Sequence, residues 1–201
     1  MNCDRIARSY RWLEYAAFGR ELERRRFCFL AETAGAQRAL ILGDGDGRFL
    51  RRLAAVSCAS IDYVDLSAGM LELARSRAGA RAIAYRQADA LKLSLAPAEY
   101  DLIVTHFFLD CFDEGGLARL IDRTARAAKP DAVWLISEFR QPAWAAPLLA
   151  ALYLFFRVTT GLTTRRLTDH RPMLRKQGFR LKREETSRAG LLASELWTRS
   201  Q

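Results

Sequence analysis

The stretch ALILGDGDGRFL, residues 39–50, decides the fold. Four apolar residues, Ala39 to Leu42, run without interruption into Gly43-Asp44-Gly45-Asp46-Gly47. A short apolar run bounded by glycines reads as a strand buried on both faces of a parallel sheet. The glycines then let the backbone turn sharply and come close to a ligand, with no Cβ in the way. Phe49, Leu50 and Leu53 follow at helical spacing, so a helix is expected from Arg48 to Ala55. Strand, glycine loop and helix open a nucleotide-type site at the carboxyl edge of a sheet.

The two acids in the loop narrow the ligand. A pyrophosphate or triphosphate lying over this loop would be repelled by Asp44 and Asp46. The last small residue of the dinucleotide fingerprint would fall at position 48, which is Arg48, and no G-K-[ST] triplet occurs anywhere in the chain. S-adenosylmethionine has a ribose and an adenine but no phosphate, and it carries a cationic sulfonium and an ammonium. An acidic glycine loop suits that ligand better than NAD.

Outward from the loop, strand and helix alternate. Residues 4–33 read as two helices broken near Gly19, a helical cap over positions 1–36. Strands are expected at 61–66, 81–88, 100–107 and 132–139, and a final pair at 179–185 and 192–198. Ser67 caps a helix from Ala68 to Arg77, with Met70, Leu71 and Ala74 inward. A helix over 115–128 is stopped by Lys129-Pro130-Asp131. This alternation argues for an α/β sandwich on a mainly parallel sheet. The last two strands lack a helix-length connection, so they pair antiparallel. The whole chain, 1–201, fits a single domain with a helical insertion at 141–177 between the fifth and sixth strands.

Composition excludes several classes. Cys3, Cys28, Cys58 and Cys111 form no C-x-x-C pair, and with only His106 and His170 no metal cluster can be read. The start MNCDRIARSYRW lacks a signal-peptide apolar region, which points to the cytoplasm. The apolar run Pro142 to Phe156 falls short of the ~18–20 residues of a membrane span. From Arg157 to Arg188 ten basic residues face Asp169, Glu184 and Glu185, a net of +7 out of the chain's +9. Such asymmetry marks either an anionic partner or a solvated surface.

Three strand ends line up as a site. Gly43 to Gly47 follow the first strand. Asp65 ends the second, where a carboxylate accepts both hydroxyls of a ribose. Asp89 ends the third, where it can accept from an adenine amine. With these residues in place the chain resembles the class I S-adenosylmethionine-dependent methyltransferases over essentially its whole length. The matching pieces are LILGDGDGRF, YVDLSAGMLELAR, QADAL, YDLIVTHFFLDCFDE, AAKPDAVWLISEF and LRKQGF. The resemblance implies a Rossmann-like three-layer sandwich, a seven-stranded sheet with a reversed last strand, and S-adenosylmethionine as cofactor. It also implies a cofactor shell that adds Leu66, Ala90 and Thr105 to the residues above. The segment DRIARSY looks like the cap of the small-molecule and quinone branch, where a tyrosine touches the cofactor; Tyr10 matches it, with Arg11 in place of the usual aspartate. The acid that the family often carries two residues before the first glycine is here Ile41, which leaves Asp44 or Asp46 for the ammonium. Thr105-His106-Phe107-Phe108 replaces the Asn/Asp-Pro-Pro-aromatic motif of the amide and base N-methylating branches. The acids and Asn of the metal-dependent catechol type do not assemble.

Methyl transfer is an in-line displacement, so much of its catalysis comes from holding the acceptor close and aligned. A base is needed only where the acceptor loses a proton. The candidates are His106 and Asp110; in a helix their spacing of four places them on one face. In many relatives a histidine stands at the position of Asp110. Trp144, Leu148, Leu152 and Phe155 form one apolar stripe of the inserted helix, and Leu149, Tyr153 and Phe156 another. An apolar helix leading into arginines is the pattern of an interfacial element. The expected acceptor is therefore a small apolar molecule, methylated at oxygen or carbon, met in the cytoplasm or at the inner face of an anionic membrane. The alternatives are RNA methylation through the basic 157–188 segment and cofactor binding without catalysis. Nucleic acid is the less expected partner, because no aromatic residues interleave the arginines as a stacking platform.

Overall fold

The computed structural model describes residues 4, 10–79, 83–160, 167–187 and 189–199. Its strands are β1 (Arg38–Leu42), β2 (Ser60–Asp65), β3 (Ile83–Gln87), β4 (Tyr100–His106), β5 (Ala128–Phe139), β6 (Phe179–Thr186) and β7 (Leu192–Arg199). Its helices are α1 (Tyr10–Phe18), α2 (Glu21–Phe27), α3 (Arg48–Val56), α4 (Ala68–Ala78), α5 (Glu114–Ala127), α6 (Ala146–Thr160) and α7 (Arg171–Lys176). The strands make one seven-stranded sheet in the order β3-β2-β1-β4-β5-β7-β6. The first five are parallel, and β7 runs antiparallel to both β5 and β6, so the reversed last strand is as expected.

The apolar run of β1 is covered on both sides. Leu40 and Leu42 enter the layer beneath α5, and Ala39 and Ile41 enter the layer beneath α3 and α4. On α4, Ser67 Oγ accepts the Met70 N–H at 3.2 Å, and Met70, Leu71 and Ala74 are buried as predicted. One boundary differs from expectation. Lys129-Pro130-Asp131 does not merely stop α5; it lies inside β5, which starts at Ala128. Pro130 falls where the pairing with β4 shifts between Tyr100 and Leu102, so the ladder loses no amide there.

The cap breaks at Gly19 as expected, with α1 and α2 on either side. It is tied down by buried charge. Glu14 of α1 is paired with Arg26 of α2 at 2.7 Å and with Arg48 of α3, and the Arg48 Nε donates to Asp46 of the glycine loop at 2.8 Å. Arg48, the residue that departs from the dinucleotide fingerprint, is thus the clamp between cap and loop.

In the insertion, Leu149 and Tyr153 of α6 pack on Phe139, Leu191 and Leu192. Of the two expected stripes this one is the core face; Trp144, Leu148 and Phe155 of the other stay exposed, together with Leu154 and Val158. The Phe156 side chain lies outside the described residues. The helical run Ala143–Thr160 continues past the expected end and, by length and composition alone, reaches what a membrane span needs. This corrects the reading of a run too short, although the Leu149 and Tyr153 side is seated on the sheet.

Gly47 shows how tightly loop and helices are fitted. It sits at φ +76°, and a Cβ there would lie 2.6 Å from the Ala74 Cα of α4. Gly47→Ala is expected to lower stability by about 1–3 kcal/mol in urea unfolding. Gly35→Ala, where a Cβ meets nothing within 4 Å, should change it by less than about 0.5 kcal/mol. Equal effects would refute the close-packing account.

Candidate cofactor and acceptor cleft

A cleft of about 670 Å³, counting its open mouth, lies at the carboxyl ends of β1, β2, β3 and β4. Gly43 and Gly45 line it from the loop, and Asp65, Leu66 and Met70 from the β2–α4 junction. Ala88, Asp89 and Ala90 line it after β3, and Phe107, Phe108, Cys111 and Phe112 after β4. Six of the sequence-predicted cofactor residues therefore meet in one place: Gly43, Gly45, Asp65, Leu66, Asp89 and Ala90.

Local structure explains each position. Gly43, at φ +64°, donates its N–H to the Val64 carbonyl at 2.9 Å. A Cβ on it would fall 2.0 Å from the Phe108 ring, so only glycine admits that ring over the loop. Asp65 Oδ1 accepts the Ser67 N–H at 2.8 Å, and burial pushes its carboxyl up to about 6. Asp89 Oδ1 accepts the Leu91 N–H at 3.0 Å. Asp4, at the far end of the sequence, accepts from Ser67 Oγ and from the Gly69 N–H at 3.0 Å, which brings the chain start to the same corner.

The two loop acids, alike in sequence, part company in the fold. Asp46 is ion-paired with Arg48 and Arg77 and does not line the cleft; it is a structural anion, not a ligand for an ammonium. Asp44 is buried behind Gly43 and Gly45. Its Oδ2 accepts the Leu50 N–H at 3.3 Å, and its Oδ1 is buried without a partner. Burial pushes its carboxyl up to about 7, against the pull of the Arg26 guanidinium. Gly47 packs on α4 rather than on the cleft. The Tyr10 side chain lies outside the described residues.

The residues of β4 also divide. Thr105 faces the α5 layer, where its Oγ1 accepts the Trp134 Nε1–H at 3.0 Å, so it is a core hydroxyl and not part of the cofactor shell. His106 faces the other layer. Its ring stands edge-on to Phe49 at 4.7 Å, both nitrogens are buried without a partner, and burial holds its pKa well down. It is a neutral core histidine that does not reach the cleft. Nor does a helix carry it to Asp110: Phe107 takes φ +53° and turns the chain into the short 3-10 turn Leu109–Cys111. Asp110 sits behind the cleft wall, with the Cys111 thiol donating to it at 3.6 Å, and burial pushes its carboxyl up to about 6.

Two participants were not singled out from sequence. Arg26 is buried, holds Glu14 with both Nη groups, leaves Nε unpartnered, and lies 5.0 Å over the Phe107 ring. Its place four residues after buried Leu22 was the available signal. Glu138, an acid within the apolar strand β5, accepts the N–H groups of Phe108 and Leu109 at 2.9 and 2.7 Å and so shapes the turn. Burial, and then Asp110, raise its carboxyl well above the ordinary range.

Asp44, Asp65 and Asp110 thus hold protons to higher pH than in the unfolded chain. Where the native state binds more protons than the unfolded state, stability falls as pH rises. The ligand-free protein is expected to melt at a lower temperature as pH rises from about 5 to about 8, and Asp44→Asn to flatten that slope above about pH 6. A flat wild-type profile would refute the burial of uncompensated carboxyls.

Residues 39–131 match the family model of a methyltransferase domain. Comparison with curated proteins finds no match. An S-adenosylmethionine-dependent methyltransferase from Mesorhizobium loti aligns with TM-score 0.69 at 20% identity, covering 87% of this chain and 98% of that one. The N-methyltransferase NodS from Bradyrhizobium japonicum WM9, in complex with S-adenosyl-L-homocysteine, aligns with TM-score 0.69 at 16% identity, covering 90% and 89%. An O-methyltransferase family protein from Burkholderia thailandensis aligns with TM-score 0.70 at 17% identity, covering 98% of this chain and 57% of that one. N- and O-methyltransferases share this fold, so the fold leaves the acceptor atom open. The glycine loop, both strand-end acids and the aromatic turn fall inside the residues that match the methyltransferase-domain model, and the seven-stranded sheet around them has the fold of the solved S-adenosylmethionine-dependent methyltransferases.

Proposed function

We propose that this chain moves the methyl group of S-adenosylmethionine to a small, apolar acceptor that gives up a proton from oxygen or carbon. The observation that carries this reading is the wall of the cleft after β4, made of Phe107, Phe108, Cys111 and Phe112, with no lysine, arginine or histidine among the described residues that line it. Such a wall suits an apolar ring or chain.

The residues present fit the cofactor. Asp65 takes the ribose hydroxyls, Asp89 the adenine amine, and Leu66, Met70 and Ala90 give the base an apolar slot. The unpartnered Asp44 Oδ1 is the complement of an ammonium. When bound, S-adenosylmethionine supplies a methyl on a positively charged sulfur. The aromatic wall excludes water and fixes the acceptor in line, and a low-dielectric lining favours a displacement in which opposite charges are consumed. Phe107 is held at positive φ by its N–H bond to the Ser137 carbonyl at 2.7 Å, a strained placement of the kind found at working sites. Asp110, close behind Cys111, takes the acceptor proton, with Glu138 holding the turn in place; its raised carboxyl is matched to a neutral working pH. The exposed apolar residues of the insertion (Trp144 just before α6, and Leu148, Leu154, Phe155 and Val158 on it), with exposed Arg157 on the same helix, fit an anionic lipid surface as the source of the acceptor and a cytoplasmic, peripheral setting.

Three measurements test this. Asp65→Ala should weaken S-adenosyl-L-homocysteine binding by about 1–3 kcal/mol in calorimetry, and unchanged affinity would sink the ribose assignment. Radiolabelled methyl should pass from the cofactor into an organic-solvent extract of the source cells and not into their RNA; the reverse would favour the RNA reading. Asp110→Asn should slow that transfer by about 10²–10⁴-fold while leaving cofactor affinity intact, and near-normal turnover would mean that positioning alone carries the reaction.

A further inference from the structure

Arg25 differs from its neighbours in the cap. Arg24 is paired with Glu21 at 2.7 Å and Arg26 with Glu14 at 2.7 Å. Between them on α2, Arg25 has no ion pair among the described residues, and its Nε and Nη1 are buried without a partner. Its backbone is fixed, because the hydroxyls of Ser137 and Ser194 both donate to its carbonyl, at 3.0 and 2.7 Å. A cation taken partly out of water without an anion carries a desolvation cost that a bound anion would offset.

The side chain lines a second cavity, a crevice of about 1100 Å³ open to solvent, between α2 and the turn that joins β6 to β7. Phe18, Leu191 and Leu192 give this crevice an apolar wall, and Arg24, Thr186 and Ser187 give it polar groups. Ser187 Oγ accepts the Leu192 N–H at 3.1 Å, so its own hydrogen remains to be donated. Glu21 also lines the crevice, but it is held by Arg24, so that pair cancels and the charge of Arg25 is left over. Glu185, the other acid near this end of β6, acts with Arg25 on Cys28 without pairing with Arg25. The rings of Phe18, Phe139 and Phe107 follow one another at centroid distances of 5.4 Å, an aromatic wall between this crevice and the cleft at the glycine loop.

We propose that the crevice is an oxyanion-binding site separate from the methyl-transfer cleft, with Arg25 as its fixed cation and Ser187 as a hydroxyl donor. Its ligand is a phosphate group. The adjoining apolar wall fits a phosphate borne by an amphiphile, such as an anionic lipid headgroup, and the same groups accept a free phosphate. This site goes beyond methyl transfer and does not rest on it.

The test compares the full chain with Arg25→Gln and Arg25→Lys, with S-adenosyl-L-homocysteine affinity and melting temperature as checks that the variants fold. Inorganic phosphate is titrated by calorimetry, and flotation is measured with phosphatidylglycerol vesicles and with phosphatidylcholine vesicles at one salt concentration. Removing a hydrogen bond to a charged group should weaken binding about 10–100-fold in Arg25→Gln, with Arg25→Lys between it and wild type. Loss in the phosphate arm assigns a site for free phosphate. Loss of flotation on phosphatidylglycerol alone, with no phosphate binding, assigns the headgroup. The proposal is overturned if wild type binds neither probe, or if Arg25→Gln equals wild type in both arms, including the case where α6 alone carries the protein onto vesicles.

Discussion

The arrangement of the cleft depends on one buried guanidinium. Arg48 opens α3 directly after the glycine loop, and it touches both Asp46 within that loop and Glu14 in the cap. Glu14 in turn holds Arg26. Buried pairs of this kind add little net stability, since desolvation offsets most of the attraction, but losing one member leaves an uncompensated charge inside. The network therefore acts as a registration device: cap, loop and first sheet-covering helix fit together in one way only. That register places Arg26 over Phe107 and close enough to Asp44 to oppose its protonation.

The same network explains what was legible in the sequence. The strands were readable because a strand buried on both faces must be continuously apolar, and the antiparallel pairing of the last two followed from a connection too short for a crossover. The meeting of Asp65 and Asp89 at one cleft was readable because strand ends in such sheets face the same edge whatever the packing elsewhere. Asp44 and Asp46 were indistinguishable as letters; what separates them is that Arg48 and Arg77 reach only the second. Thr105 and His106 occupy a strand end too, but alternation turns them into opposite layers, and Trp134 and Phe49, which receive them, lie far away in sequence. The helical spacing argument for His106 and Asp110 failed because Phe107 takes a positive φ, a conformation no residue pattern announces.

The +7 segment looked like one basic surface, yet the fold uses part of it internally. Arg171 is paired with Glu184 and Glu195, and Arg183 with Glu32. Glu195 also receives His170 at 2.9 Å, Trp197 at 2.6 Å and Arg140. Burial alone would raise its carboxyl, but these partners hold it below the ordinary range. The cluster fastens Arg140 at the start of the insertion and Arg171 near its end onto β7, so the insertion is anchored at both ends.

An insertion anchored in this way has consequences for α6. Leu149 and Tyr153 seat one side of the helix on Phe139 and Leu192. The opposite side, with Trp144 at 55% and Val158 at 75% exposure, is then presented to solvent by the fold rather than by loose packing. Contiguous apolar surface held out in this manner marks a contact face. The seated side meets Phe107 and Cys111, which also line the cleft at the glycine loop. One helix thus joins an outward apolar face to the wall of the cleft after β4.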